Sequence, residues 1–533
     1  MPDPAAGPTP AGPDPVGLDP AELDPSSWPD FRAAAHRLLD ACIDRLEGAR
    51  THPWQPVPDA VQQGYAIGAG GSDGGSDEGS GEAAIVERLM RDVLPYGTGN
   101  THPSFWGWVH GTGLASGVLS AMVEATINAN CGGRAHGAVW MERAVIDWAR
   151  QVMGLPEGAS GVLVAGTSQA TVIALQAARI RALPDLREKG QGGRRLVAYA
   201  GAGVHQAAVK ALELLGLGRE TLRLVATGPR GPDMAALRAA IARDRAAGAL
   251  PFALIATAGS VDLGAFDDLE AMADLAAQEG LWLHVDGAFG AWTRLAADPW
   301  RGLSEGIGRA DSIACDFHKW MYVPYDCGLV LMRSEAAHRA AFAARPAYLA
   351  AQAAGLGGGD PWFCDYGIDL SRGNRALKVW TALELYGAAR MGAAISRNCE
   401  LAALMGRLVA AAPALALAAP VVSNVCVFSV LAAAPAAQRS AANTAIAQAL
   451  QLSGQAVFST TLVDGVTCLR AAITNHRSRA EDVQSAIAAV EAEAARAVQA
   501  GFLSRVLRGR PHVVLKLALS LDGRIATAAG ESR

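Results

Sequence analysis

Between residues 100 and 386 the chain alternates short apolar runs with alanine-rich stretches of helical character. The runs centre near Val162, Val197, Leu224, Leu254, Leu283, Ile313 and Val330. Strands that alternate with helices predict an α/β fold built on a mainly parallel sheet covered on both faces. Such a sheet buries its strands on both sides, which suits near-continuous apolar runs. Residues 387–500 read as a smaller α+β domain, with strand candidates over 421–428 and 466–470. Upstream, residues 31–99 form a helical segment that opens with a helix over 31–46. A glycine- and serine-rich loop over 68–81 interrupts it and reads as an insertion without chemistry of its own. Residues 1–30 contain nine prolines and almost no apolar periodicity, so a disordered lead is expected there.

Composition narrows the function classes. The chain has 533 residues, 51% hydrophobic, enough for a sizeable core and more than one domain. Charged residues make up 18% and the net charge is −5, so no electrostatic case exists for nucleic acid or an anionic membrane surface. No run reaches the ~18 apolar residues of a membrane span. The N-terminus has neither a basic nor an apolar leader segment, so secretion is not expected. Eight cysteines are scattered without metal-type spacing, which suits reduced thiols in a cytoplasmic protein and no metal site.

Two residues carry the chemistry. Asp286 ends the apolar run Leu281-Trp-Leu-His-Val-Asp286, and Lys319 follows a second run, Asp311-Ser-Ile-Ala-Cys-Asp-Phe-His-Lys319. A lone lysine is ordinarily a solvated charge, but an unpaired carboxylate at the tip of a buried strand is costly and asks for a partner. A lysine and a carboxylate at two strand ends are what pyridoxal 5′-phosphate (PLP) needs. The lysine forms a Schiff base, and the carboxylate keeps the pyridine nitrogen protonated. Upstream, Gly166, Thr167 and Ser168 stand between a strand and a helix start, where amides and hydroxyls can hold a phosphate. Read alone, these residues could equally be an ordinary helix cap. His205 follows the strand at Leu196-Val-Ala-Tyr199, and could stack on a flat ring or cap the next helix. Thr257, in Thr257-Ala-Gly-Ser260, could bond the cofactor or Asp286.

The set Thr167-Ser168, His205, Thr257-Ala-Gly-Ser260, His284-Val-Asp286-Gly-Ala288 and Asp316-Phe-His-Lys319-Trp320 resembles the group II PLP-dependent amino-acid decarboxylases. These include the aromatic-L-amino-acid, tyrosine, histidine and glutamate decarboxylases. The resemblance runs from about Trp54 to about Glu493 and implies the PLP-dependent transferase fold, type I. It implies an α-amino-acid decarboxylase that takes an L-amino acid with an aromatic or other apolar side chain. It also implies a homodimer, with residues 31–96 packing across the interface. By the resemblance, Lys319 binds PLP covalently, Asp286 pairs with the pyridine nitrogen and His205 stacks on the ring. Thr167 and Ser168 hold the phosphate, Ala288 packs under the ring, and His318 is a catalytic neighbour of Lys319. His102, Phe105 and Trp108 would line the substrate pocket. A loop tyrosine protonates the substrate carbon in these enzymes; Tyr366 is the first candidate here, with Phe363 and Tyr348 as other occupants.

Departures keep alternatives open. A phenylalanine at that loop position goes with oxidative deamination to an aldehyde. A cysteine desulfurase would need a loop thiol, for which Cys364 is available, and a non-catalytic scaffold would bind no PLP. The segment Asp286-Gly-Ala-Phe289 differs mildly from the family pattern. Asp316 stands where the aromatic decarboxylases carry an asparagine near the phosphate, and it is left unassigned. Residues 510–533 resemble the opening of the reductase domain of bifunctional riboflavin-biosynthesis proteins. The segment 501–533 is therefore read as a truncated reductase-like fragment, too short to bury a core. A coincidental apolar strand and turn is the alternative.

Overall fold

The computed structural model describes residues 23–66, 81–228, 230–344 and 352–498. Most of the proline-rich lead, nearly all of the 68–81 loop, Tyr348 and the 501–533 tail lie outside the described residues. The chain forms two compact units, Met1–Gly99 and Asn100–Arg533.

In the first unit, helix α1 (Trp28–Glu47) starts three residues before the expected point, because Ser27 caps it. The Ser27 hydroxyl accepts the Asp30 amide, and Gly48 closes the far end. Helix α2 (Glu82–Arg88) lies beside it, joined by an Arg37–Glu87 ion pair at 2.9 Å. Both side chains of that pair are exposed, so it adds little stability.

The second unit is built on seven strands: β1 (Ser160–Val164), β2 (Leu196–Gly201), β3 (Leu222–Val225), β4 (Leu250–Thr257), β5 (Trp282–Asp286), β6 (Ser312–Asp316) and β7 (Gly328–Met332). Each contains one of the seven apolar centres. Their order is β1-β7-β6-β5-β4-β2-β3. The pairs β2/β3, β2/β4, β4/β5 and β5/β6 are parallel, whereas β7 runs antiparallel to both β6 and β1. The reversal follows from the β6–β7 connection, which holds Lys319 and only a single helical turn, Phe317–Trp320. A parallel return needs a full crossover. Strands β1, β2, β5, β6 and β7 are buried along their whole length.

Helices α3 (Ser116–Ile127) and α4 (Gly137–Met153) precede the sheet. Helix α5 (Thr167–Ala182) leaves the C-terminal end of β1, and α6 (Gln206–Leu214) that of β2. The long helix α7 (Arg375–Ala411) leads to the second sheet and is interrupted at Gly387, whose φ of 71° lies in the left-handed region. Four antiparallel strands follow, β8 (Leu415–Leu417), β9 (Val425–Val430), β10 (Ser459–Val463) and β11 (Val466–Ala472), in the order β8-β9-β11-β10. Asp464 and Gly465, both at positive φ, turn β10 into β11. Helices α8 (Ala436–Leu452) and α9 (Ala480–Val498) flank this sheet over a core that includes Phe428 and Phe458. Two of its strands gave no clear signal: β8 has only three residues, inside a longer alanine-rich apolar stretch, and β10 buries only Ser459 fully.

Candidate active site

The C-terminal ends of β1, β2, β4, β5 and β6 converge on one cleft of about 390 Å³. Ligands in open α/β sheets occupy this end of the strands. Lys319, Asp286, His205, His318, Thr167, Ser168, Thr257, Ala288 and Trp108 all line it. A larger neighbouring cavity of about 630 Å³ shares Thr257, but its polar atoms are engaged internally. There Thr227 Oγ1 accepts the Ala202 amide, Ser260 Oγ the Ala265 amide, and Asp267 the Thr257 amide.

Asp286 ends β5 opposite Thr257 of β4 and is buried. Its Oδ1 accepts the Ala288 amide at 3.2 Å. Burial pushes its carboxyl pKa up, and the nearby Lys319 and His205 pull against that shift. Lys319 stands on the turn after β6, with Nζ 2.6 Å from Oδ2 of Asp316. The next turn of chemistry lies at the start of α5. The Thr167 amide donates to Asp316 Oδ1 at 2.7 Å, while Thr167 Oγ1 is buried without a hydrogen-bond partner. Ser168 is exposed beside it.

His205 serves two purposes. Its Nδ1 caps α6 by accepting the Ala207 amide at 3.2 Å, and its ring still lines the cleft. His318 is buried, and its Nδ1 accepts the Cys327 amide at 3.0 Å. Burial lowers its pKa, with Asp316 opposing the shift. The imidazole is therefore held neutral with its remaining proton on Nε2.

Three expected residues lie elsewhere. Tyr366 is buried away from the cleft, where its hydroxyl donates to Glu335 Oε1 at 2.6 Å and its ring packs on His338 at 5.0 Å. Phe105 is buried behind the cleft wall, stacked on His110 at 5.8 Å, and its backbone pairs with Val457. Its aromatic character serves packing. His102 is absent from the lining too; its Nδ1 accepts the Ser104 amide and turns the local backbone. Cys364 is likewise not among the lining residues, and its amide donates to Gly132.

One lining aromatic, Tyr325, escaped the sequence reading, whereas His110 ends the stretch from His102 that the family resemblance places at the substrate pocket. Tyr325 packs its ring 4.4 Å from that of His318, and His110 faces Tyr325 at 6.0 Å. Tyr325, His110 and Trp108 form an aromatic cluster in the cleft lining. Burial pushes the Tyr325 hydroxyl up to about 12, so it carries its proton at neutral pH. Its position six residues beyond Lys319, in the same connection, was the available signal.

A family model described as the pyridoxal-dependent decarboxylase conserved domain matches residues 76–430. An aromatic-L-amino-acid decarboxylase of Bacillus atrophaeus is 30% identical over 380 residues, 70% of this chain and 76% of that protein. A phenylacetaldehyde synthase of Arabidopsis thaliana is 27% identical over 77% of this chain and 85% of its own length. Among solved structures, Oryza sativa TDC crystallised with PLP and tryptamine superposes with a TM-score of 0.80. It is 24% identical, over 89% of this chain and 99% of that one.

Proposed function

Because this chain belongs to the pyridoxal-dependent decarboxylase family, we propose that the Lys319 cleft performs its reaction and that the side chain it accepts is aromatic. The protein is a PLP-dependent amino-acid carboxy-lyase, which releases CO2 and the corresponding amine. The residues of the cleft fit the cofactor. Thr167 Oγ1 is a buried hydroxyl lacking a partner at a helix start, and Asp286 offers a buried carboxylate in the same cleft. When bound, PLP supplies an electron sink for the pair left on Cα as the carboxylate departs.

The chain's own groups divide the remaining work. Lys319 is the amine that would hold the cofactor covalently. Asp286 holds a proton on the ring nitrogen through its charge, and the low-polarity surroundings strengthen that pairing. Thr167 and Ser168 would hold the phosphate, and His205 and Ala288 would pack against the ring. His318, locked by the Cys327 amide, presents Nε2–H as a fixed donor next to Lys319. Tyr325 lines the cleft with its phenol protonated and is our candidate for returning a proton to Cα.

The aromatic cluster of Trp108, His110 and Tyr325 is the observation that supports the substrate assignment. Flat apolar surface favours a ring over a charged or short side chain. A second outcome is decarboxylation coupled to oxidative deamination, in which dioxygen takes up two electrons and the products are aldehyde, CO2, ammonia and hydrogen peroxide. It draws on the likeness to phenylacetaldehyde synthase and on the burial of Tyr366. A panel of L-amino acids scored for CO2, amine, and aldehyde with ammonia tests the reading. Amine from aromatic substrates is expected; turnover confined to acidic or basic amino acids would overturn the substrate class.

We also propose a cytoplasmic homodimer. Leu119, Met122, Val123 and Ile127 fall on one side of α3, and each is about half exposed. An apolar stripe of this kind on a large enzyme calls for a partner. Cys42, Cys131, Cys315, Cys327, Cys399, Cys426 and Cys468 form no disulfide, which supports a reducing compartment. No helix among the described residues is long and apolar enough to cross a membrane.

A further inference from the structure

Asp316 closes β6 with a carboxylate that is only 1% exposed. Its two oxygens hold different partners. Oδ2 lies 2.6 Å from Lys319 Nζ and 3.7 Å from His318 Nε2, and Oδ1 accepts the Thr167 amide at 2.7 Å. That amide is the first of α5, where unsatisfied N–H groups and the helix dipole favour an anion. A carboxylate of the chain itself therefore occupies one donor of the phosphate cradle.

The carboxylate has little room to move aside. A Cβ on Gly328 would fall 2.7 Å from Asp316 Oδ1 and one on Gly166 3.6 Å from it, so both backbones press close. An incoming phosphate that reaches Thr167 and Ser168 meets a fixed negative charge within the same few ångströms. Like charges at that range repel, and burial weakens the screening. Lys319 offsets Asp316 while its amine is free.

We propose that Asp316 is a positioning residue that limits how much the cofactor's phosphate contributes to binding. It does so by setting a buried negative charge at the Thr167 amide while it steadies the Lys319 amine. The inference rests on reading the cleft as the PLP site. In an Asp316→Asn variant the side-chain carbonyl keeps the Thr167 bond, and the charged oxygen is replaced by an amide donor that a phosphate can use.

The test compares PLP with pyridoxal, which lacks the phosphate. Dissociation constants of both are measured by fluorescence titration of apoprotein, in phosphate-free buffer, for the unaltered chain and for Asp316→Asn. The pyridoxal-to-PLP ratio is expected to rise about tenfold or more in the variant. An unchanged or smaller ratio would overturn the proposal. Misplacement of Lys319 affects both ligands alike and cancels in the ratio. Circular dichroism and the thermal midpoint of each apoprotein establish folding, and Asp316→Ser, with the same expectation, replaces a variant that does not fold. If the unaltered chain binds neither compound, the PLP reading itself falls, and this result is distinct from a ratio that fails to move.

Discussion

Tyr366 donates its hydroxyl to Glu335 Oε1 at 2.6 Å, and this bond fixes the ring in the body of the protein, not in the cleft. Burial and the adjacent carboxylate both push the phenol pKa up. A hydrogen bond to a charged acceptor contributes about 1.5–3 kcal/mol. Tyr366→Phe should therefore lower the thermal midpoint by several degrees and leave turnover and product unchanged. A shift from amine to aldehyde with no loss of stability would return Tyr366 to the reaction.

Tyr325→Phe should behave in the opposite way. The ring would still pack on His318, so the midpoint should hold. Loss of the hydroxyl should cut amine formation by about 100-fold, the lower range for a positioned general acid, and raise the fraction of aldehyde. Full amine production by the variant would remove Tyr325 from proton transfer.

Asp286→Asn keeps the shape of the side chain and removes its charge. Stabilisation of the reacting state should fall by several kcal/mol, and each ~1.4 kcal/mol is a factor of ten in rate. A loss of at least about 100-fold in kcat is expected, with the thermal midpoint of the apoprotein equal or higher, since burial disfavours this charge. Near-normal turnover would contradict the role.

Acid should destabilise the fold through three buried histidines. Burial lowers His284 to about 4, His338 to about 3 and His476 to about 3, with neighbouring arginines adding to the effect at His476. His338 shows the cause: it is enclosed, with Nδ1 against the Ser160 hydroxyl at 2.9 Å and Nε2 against the Tyr366 carbonyl at 2.6 Å, so both nitrogens are satisfied in the neutral ring. Below pH ~6.5 the unfolded chain takes up protons that the native state refuses, and stability falls by about 1.4 kcal/mol per pH unit for each histidine. Asp267, pushed up to about 6 by burial, works the other way, as does the buried Asp286 carboxyl, but His110 and His318, also lowered by burial, add to the histidine effect. The thermal midpoint should drop between pH 7 and pH 4. A midpoint that holds or rises over that range would rule this out.

Which parts of the molecule could be read from the chain follows from how each residue is held. Strand ends set by buried apolar runs deliver Asp286, Thr257 and Lys319 to one cleft, because the backbone alone decides where they emerge. Helix starts do the same for Thr167 and His205. Tyr366 could not be placed that way, since its direction depends on Glu335 and His338, contacts that join separate parts of the sequence. The aromatic run from Phe105 to His110 divides for a similar reason. Trp108 adopts a positive φ of 55° and turns toward the cleft, while Phe105 pairs with Val457 and is buried. Strand β10 was hidden because an edge strand with alternating burial has few apolar positions to show.

The association state can be read by light scattering. A dimer is expected, and Val123→Glu, which puts a charge on the exposed stripe of α3, should shift it toward monomer. A fully active monomer of the unaltered chain would remove the proposed interface.

The central claim is that PLP is held in this cleft on Lys319. Purified protein should be yellow when loaded with PLP, and borohydride should fix the cofactor irreversibly. Peptide mapping of the reduced protein is expected to find the pyridoxyl group on Lys319, with no label in Lys319→Ala. Label on a different lysine, or an unaltered absorption band in Lys319→Ala, would contradict the account.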